Sequence, residues 1–153
     1  MKTIRQNVFE TNSSSSHSVT IQTSPNKHQV TLNDEGVLFV ERGEFGWDNT
    51  TFVSFDDKCS YAYTQAANNH WCNRDKNPSE YLDISDNEKL QMMERVIMEN
   101  VPNITKVLFL NNEGYVDHQS EDLVYDIFES EDTLTTFLFD TASEFSTGND
   151  NEW

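Results

Sequence analysis

Two short segments of this sequence gather the residue types that acid–base and anion-binding chemistry use. The first is Glu10-Thr11-Asn12-Ser13-Ser14-Ser15-Ser16-His17-Ser18, nine consecutive polar residues of which five are serines. Hydroxyls and free backbone N–H groups cradle anions such as phosphate. An imidazole beside them can serve as base or acid near neutral pH. On this reading Arg5, Asn12, Ser13, Ser14, Ser15 and Ser16 bind the anion and His17 moves the proton. The plainer reading is a solvated loop, since serine competes with backbone hydrogen bonds and collects in loops.

The second segment is Asp117-His118-Gln119-Ser120. Its catalytic candidates are Asp117, His118 and Ser120, with the carboxylate orienting the imidazole. The plainer reading is a hairpin end running into a helix capped by Ser120. If His17 and His118 faced each other across a cleft, one could act as base and the other as acid in phosphoester chemistry. His118-Gln119-Ser120 resembles the His-x-Ser/Thr element of two-histidine phosphoesterases, but His17-Ser18-Val19 departs from it. Convergence to about 10 Å or less is the requirement, because the two groups must flank one reacting centre.

Metal ligation is the weaker option. Cys59, His70 and Cys72 are suitable ligand types, but their spacing matches no standard zinc motif. A fourth ligand would have to come from His17, His28 or His118. Asp83, Asp86 and Glu88 lack the twelve-residue calcium-loop pattern. There is no glycine-rich phosphate loop and no nucleophile elbow. No metal and no cofactor is expected.

Charge offers a competing seat of function. The 153 residues carry a net charge of −17. Residues 101–153 hold twelve acidic residues against one basic residue, Lys106. Glu121, Asp122, Asp126, Glu129, Glu131 and Asp132 form a dense acidic run. Such a field repels nucleic acid and anionic membranes and attracts basic protein surfaces. The expected partner is a basic protein whose nucleic-acid groove this face mimics, with no direct nucleic-acid binding. No apolar run approaches a membrane span, and Met1–Asn7 lacks the apolar stretch of a signal peptide. A cytoplasmic setting with reduced thiols follows.

The elements that must position these residues read as one α+β domain over 1–140, followed by a mobile acidic tail over 141–153. Val19–Thr23, Gln29–Leu32, Val37–Glu41 and Thr51–Phe55 read as N-terminal antiparallel strands in a meander. About three helices follow, mixed with two or three further strands. Ser60–Asn69 reads as a helix with Asp56 and Asp57 at its positive end. A second helix carries Leu90, Met93, Ile97 and Val101 on one face, with Ser85 and Glu88 as a capping box and Pro102 as its stop. Ile104–Leu110 pairs with Tyr115–His118 as a hairpin, Ser120 starts a third helix, and Leu134–Asp140 is a last strand. Ten phenylalanines, five tyrosines and three tryptophans supply the core that a 35% apolar content otherwise lacks.

The segment Arg5–Ser18 resembles the start of a group of uncharacterised small proteins encoded by tailed bacteriophages and some bacterial genomes. Gly114–Ser120 is similar to a second segment of the same group. The resemblance implies a phage or mobile-element setting and places both segments in one site. By analogy with small acidic phage proteins, it also implies inhibition of host machinery in the host cytoplasm.

Overall fold

A computed structural model describes residues 15–45, 49–67, 80–116 and 126–149. The fold is α+β, as the sequence predicts. The elements named among the described residues are, in chain order, β1 (Ser15–Thr20), β2 (Val37–Val40), β3 (Glu44–Phe45), β4 (Thr50–Phe52), α1 (Phe55–Ala67), α2 (Glu88–Asn100), β5 (Lys106–Phe109), β6 (Tyr115–Val116), α3 (Glu131–Phe139) and β7 (Glu144–Asn149).

Helix α1 is the centre of the molecule. It starts at Phe55, five residues before the expected position. The Ser54 hydroxyl accepts from Asp57 N (3.1 Å) and donates to the Asp57 carboxylate (2.9 Å). Asp56 and Asp57 occupy the first turn, where the helix dipole favours anions. Every residue from Tyr61 to Ala67 is buried. The polar ones among them are bonded: Thr64 donates to Ser60 O (2.6 Å), Tyr63 to Leu110 O (2.7 Å) and Gln65 to the Tyr61 hydroxyl (3.0 Å). A buried polar group left without a partner would cost about 1–3 kcal/mol, and these bonds remove that cost.

Helix α2 presents Leu90, Met93, Val96 and Ile97 to the core. Its cap is Asn87 rather than Ser85. The Asn87 side chain accepts from Leu90 N (3.1 Å) and donates to Ala66 O (3.2 Å), tying the start of α2 to the end of α1. Ser85 N instead donates to the Asp83 carboxylate (2.9 Å), which draws the exposed Asp83 pKa below its usual value.

The strands do not form a meander. β1 and β4 are antiparallel, but to β7, which lies between them. β2 runs parallel to β5, and β3 runs parallel to β6. The Tyr115–His118 hairpin is thus replaced by a pairing with β3. Gln29–Leu32 is not a strand. Val30 and Leu32 pack half-buried on the core, while the neighbouring ladder contact is a single bridge from Lys27 to Asp140.

Two further expectations are corrected. Leu134–Phe139 belongs to helix α3, with Asp140 as its C-cap. Ser130 caps it, accepting from Thr133 N (3.0 Å), and Glu131 and Asp132 fill the first turn. Leu134, Phe137 and Leu138 recur at helical spacing and are buried. Thr135 and Thr136 donate back to the carbonyls of Glu131 and Asp132 (2.7 and 2.9 Å), so β-branched residues that favour strands are accommodated here. The acidic segment expected to leave the fold at 141 is, over Glu144–Asn149, the middle strand of the β1–β7–β4 sheet. Phe145 holds it there. Its ring stacks on Tyr61 (4.0 Å) and Phe52 (4.6 Å) and meets Phe45 edge-on (5.5 Å).

Candidate binding groove

The segment 37–45 runs alongside 106–116 as one interrupted parallel pair. Val37 faces Lys106 and Glu44 faces Tyr115, so the second strand is two residues longer across the gap. Asn112 bridges the interruption. Its side chain accepts from Arg42 N (2.8 Å) and donates to Arg42 O (2.9 Å), imitating a strand partner. The Arg42 guanidinium donates to Asn112 O (3.1 Å) and lies over the Tyr63 ring at 5.2 Å. Gly114 is required at this crossing. A Cβ there would sit 2.5 Å from Arg42 Cβ and 2.7 Å from Gly43 O. Gly114→Ala is expected to cost about 1–3 kcal/mol by forcing the two segments apart, read as a lower urea midpoint with the helical circular dichroism retained.

The other side of 37–45 borders a groove of about 610 Å³, within the size range of ligand sites. Every residue from Val37 to Phe45 lines it. The remaining lining comes from Thr31 and Asn33 and from the β4–α1 region, including Phe52, Phe55 and Ser60. No described residue of β5 or β6 contributes, so the groove follows the edge of β2 away from β5. Its aromatic residues are Phe39, Phe45, Phe52 and Phe55. Its charges are the carboxylates of Glu41, Glu44, Asp56 and Asp57 against the single guanidinium of Arg42. All four acidic residues are exposed. Among the described residues none of the four is in an ion pair.

A separate polar node lies under the α3–β7 connection. Lys58, on α1, is 0% exposed, and its Nζ donates to Asp140 O (3.1 Å) and Ser143 O (2.9 Å). Asp140 is also buried, with Ser24 N donating to its Oδ2 (2.9 Å) and the Lys27 ammonium on its Oδ1. Burial pushes Lys58 down to about 8, outweighing the nearby acidic groups Cys59, Asp140 and Glu144. Burial, then the charge of Lys58, holds His28 below its usual value, against a hydrogen bond to the Val53 backbone and the charge of Asp140. The node ties α1 to both chain segments that flank it. It opens onto none of the groove, whose lining contains none of these residues.

The residues singled out in the sequence are placed as follows. Ser15, Ser16, His17 and Ser18 lie in strand β1, not in a loop, with His17 opposite Thr147 of β7. The serine-rich run thus becomes an outer strand. Arg5, Asn12, Ser13, Ser14, Asp117, His118, Ser120, Glu121 and Asp122 lie outside the described residues, as do His70 and Cys72. The two-histidine arrangement therefore rests on positions that the structure does not describe. Asp126 is half-buried, while Glu129, Glu131 and Asp132 are exposed around the start of α3. Glu131 accepts from Arg95 Nε of α2 (2.8 Å). Cys59 is buried, and burial followed by the charge of Asp56 pushes its thiol well above the usual range. A thiolate ligand at that position is disfavoured. Among the described residues, no three histidine, cysteine or carboxylate side chains are grouped to hold a metal ion, and no helix is long and apolar enough to cross a membrane.

The groove itself was not anticipated. Its one sequence signal is the charged run Glu41-Arg42-Gly43-Glu44 directly after an apolar strand, a pattern that guards exposed strand edges. Comparison with protein-family models, curated proteins and solved structures finds no match to this chain.

Proposed function

We propose that this protein works by binding a basic surface of another protein, as an inhibitor or nucleic-acid mimic acting in the cytoplasm of a bacterial host. The observation that carries the reading is the groove with four carboxylates, one guanidinium and an aromatic lining, set in a chain of net charge −17. Carboxylates free of intramolecular ion pairs keep their field available to a partner. Fields of this size raise association rates and select partners of opposite sign. The exposed Glu129, Glu131 and Asp132 extend the same sign of charge around the start of α3. The phage-type resemblance supplies the setting and accords with inhibition of host machinery.

The immobilised full-length protein is expected to retain one or a few basic proteins from bacterial lysate at low salt. Binding should fall steeply with added salt, because charge pairing at exposed sites is screened beyond about 10 Å at 0.1 M. Double-stranded DNA should compete for a retained nucleic-acid-binding partner. Retention of nothing at low salt, or retention indifferent to salt, would remove the proposal.

A further inference from the structure

The outer edge of β2 is unpaired among the described residues, whereas the outer edge of β5 is not. Beyond β5, Leu82 N donates to Phe109 O (2.8 Å) and Asn111 N to Glu80 O (3.0 Å), so the segment 80–82 covers that side. On β2, Leu110 N donates to Val40 O (2.8 Å), which points the Val40 carbonyl toward β5. Along a strand, successive residues turn their N–H and C=O to opposite sides. Val37, Phe39 and Glu41 therefore face the groove.

Two neighbours confirm the alternation. Val37 turns away from β5, and its N–H donates to the Asn33 side chain (2.8 Å) while its C=O accepts from Asn33 N (3.4 Å). Arg42 turns back and donates to Asn112. Asn33 thus closes one end of the edge, and the backbone groups of Phe39 and Glu41 remain for a partner. Phe39 is 46% exposed, with its ring stacked toward Tyr81 of the 80–82 segment (6.4 Å). Unpaired edges of this kind are templates for strand addition.

We propose that an extended basic peptide segment of a partner protein adds to β2 as a further strand, bonding to the backbone of Phe39 and Glu41. This rests on the reading that the protein binds basic partners, and it names where and how. Alternate side chains of the added strand would point to opposite faces. One set shares the exposed face of Phe39 and Glu41, and the other the buried face of Leu38 and Val40. Charge selects the occupant. A second copy of this chain would bring another −17 to the contact, whereas a lysine- or arginine-rich segment is attracted.

The probe is a short peptide of alternating lysine and valine, titrated into isotope-labelled full-length protein at low salt and followed by amide exchange. The Phe39 and Glu41 amides are expected to gain about tenfold or more in protection, the scale of one added hydrogen bond. The same peptide N-methylated at alternate residues keeps its charge but lacks the donors, and should bind about tenfold more weakly. Glu41→Lys combined with Glu44→Lys should weaken the unmodified peptide by a similar factor.

Equal binding of the two peptides, or protection confined to other elements, would overturn strand addition and leave the acidic-surface reading standing. So would a dimer in sedimentation with both edge amides protected before peptide is added. If neither the peptide nor any lysate protein binds at low salt, both readings fall together.

Discussion

Phe145→Ala is expected to destabilise the protein by about 3–5 kcal/mol, the range for removing a fully buried aromatic ring. Phe145 is 1% exposed and touches rings from four other elements: Phe45 of β3, Phe52 of β4, Tyr61 of α1 and Phe137 of α3. It therefore joins its sheet to α1 and α3. Marginal stability of about 5–15 kcal/mol leaves little reserve against such a loss. A chain ended after Asp140 should fare worse. It would lack the middle strand, leaving β1 and β4 without the partner they share. It would also lack the Ser143 hydroxyl, which accepts from Gln22 N (2.9 Å) and donates to Gln22 O (3.1 Å). Urea unfolding followed by circular dichroism checks both. A loss below about 1 kcal/mol for Phe145→Ala, the size of a surface effect, would show that β7 is dispensable.

The second large effect is at Lys58. Lys58→Ala removes a buried stem worth about 0.8 kcal/mol per methylene and leaves the Ser143 carbonyl without its donor, a further cost of about 1–3 kcal/mol. A total loss of about 3–5 kcal/mol is expected. Lys58→Met keeps most of the stem and isolates the polar part, so it should lose only about 1–3 kcal/mol. The Asp140 carbonyl is not orphaned in either variant, because Ser143 N also donates to it (3.0 Å).

The pair also predicts a pH signature. Lys58 titrates near 8 in the folded protein, against 10.5 as the ordinary value. Between those values the unfolded chain holds a proton that the folded chain has released. Unfolding then takes up protons, so stability rises with pH across that window. The wild type should gain on Lys58→Met by about 1.4 kcal/mol per pH unit at the steepest point. Taking the difference removes the part of the Cys59 effect that does not depend on Lys58; its raised pKa acts in the opposite direction as pH rises through the thiol range. A flat difference from pH 8 to pH 10 would mean that Lys58 is hydrated in the folded state.

Several elements were legible from local pattern. Helix α2 announced itself through Leu90, Met93 and Ile97, and β2 through a short apolar run after the Gly36 turn. What local pattern does not encode is pairing between distant segments. β2 and β5 meet in parallel across a long stretch of chain, and the groove exists only because that leaves one edge of β2 bordered by the start of α1. Strand β7 is faint in the sequence because Phe145 is its one large apolar residue, set among Glu144, Ser146 and Gly148. Alternation is present, with Phe145 and Thr147 both buried, but acidic composition outweighed it. Helix α3 reads locally as a strand because Thr133, Thr135 and Thr136 carry strand propensity, while the Ser130 cap and the i, i+3, i+4 spacing of Leu134, Phe137 and Leu138 decide the outcome. In the serine-rich segment, Val19 and Ile21 marked a strand, but only pairing with β7 extends it back through His17.

The union of β1 with β7 has a consequence for synthesis. Ser15 pairs with Asn149 and Thr20 with Glu144, so β1 waits for β7 to be made. At roughly 5–20 residues per second, that interval is on the order of ten seconds. Through it β1 and β4 emerge from the ribosome with no sheet to join, and the ring that fills the core is still untranslated. A chain arranged this way completes the β1–β7–β4 sheet only once β7 has been made, and its pairings, being remote in sequence, form slowly. The excess negative charge acts during that wait: it keeps unfinished copies apart while each waits for its own central strand.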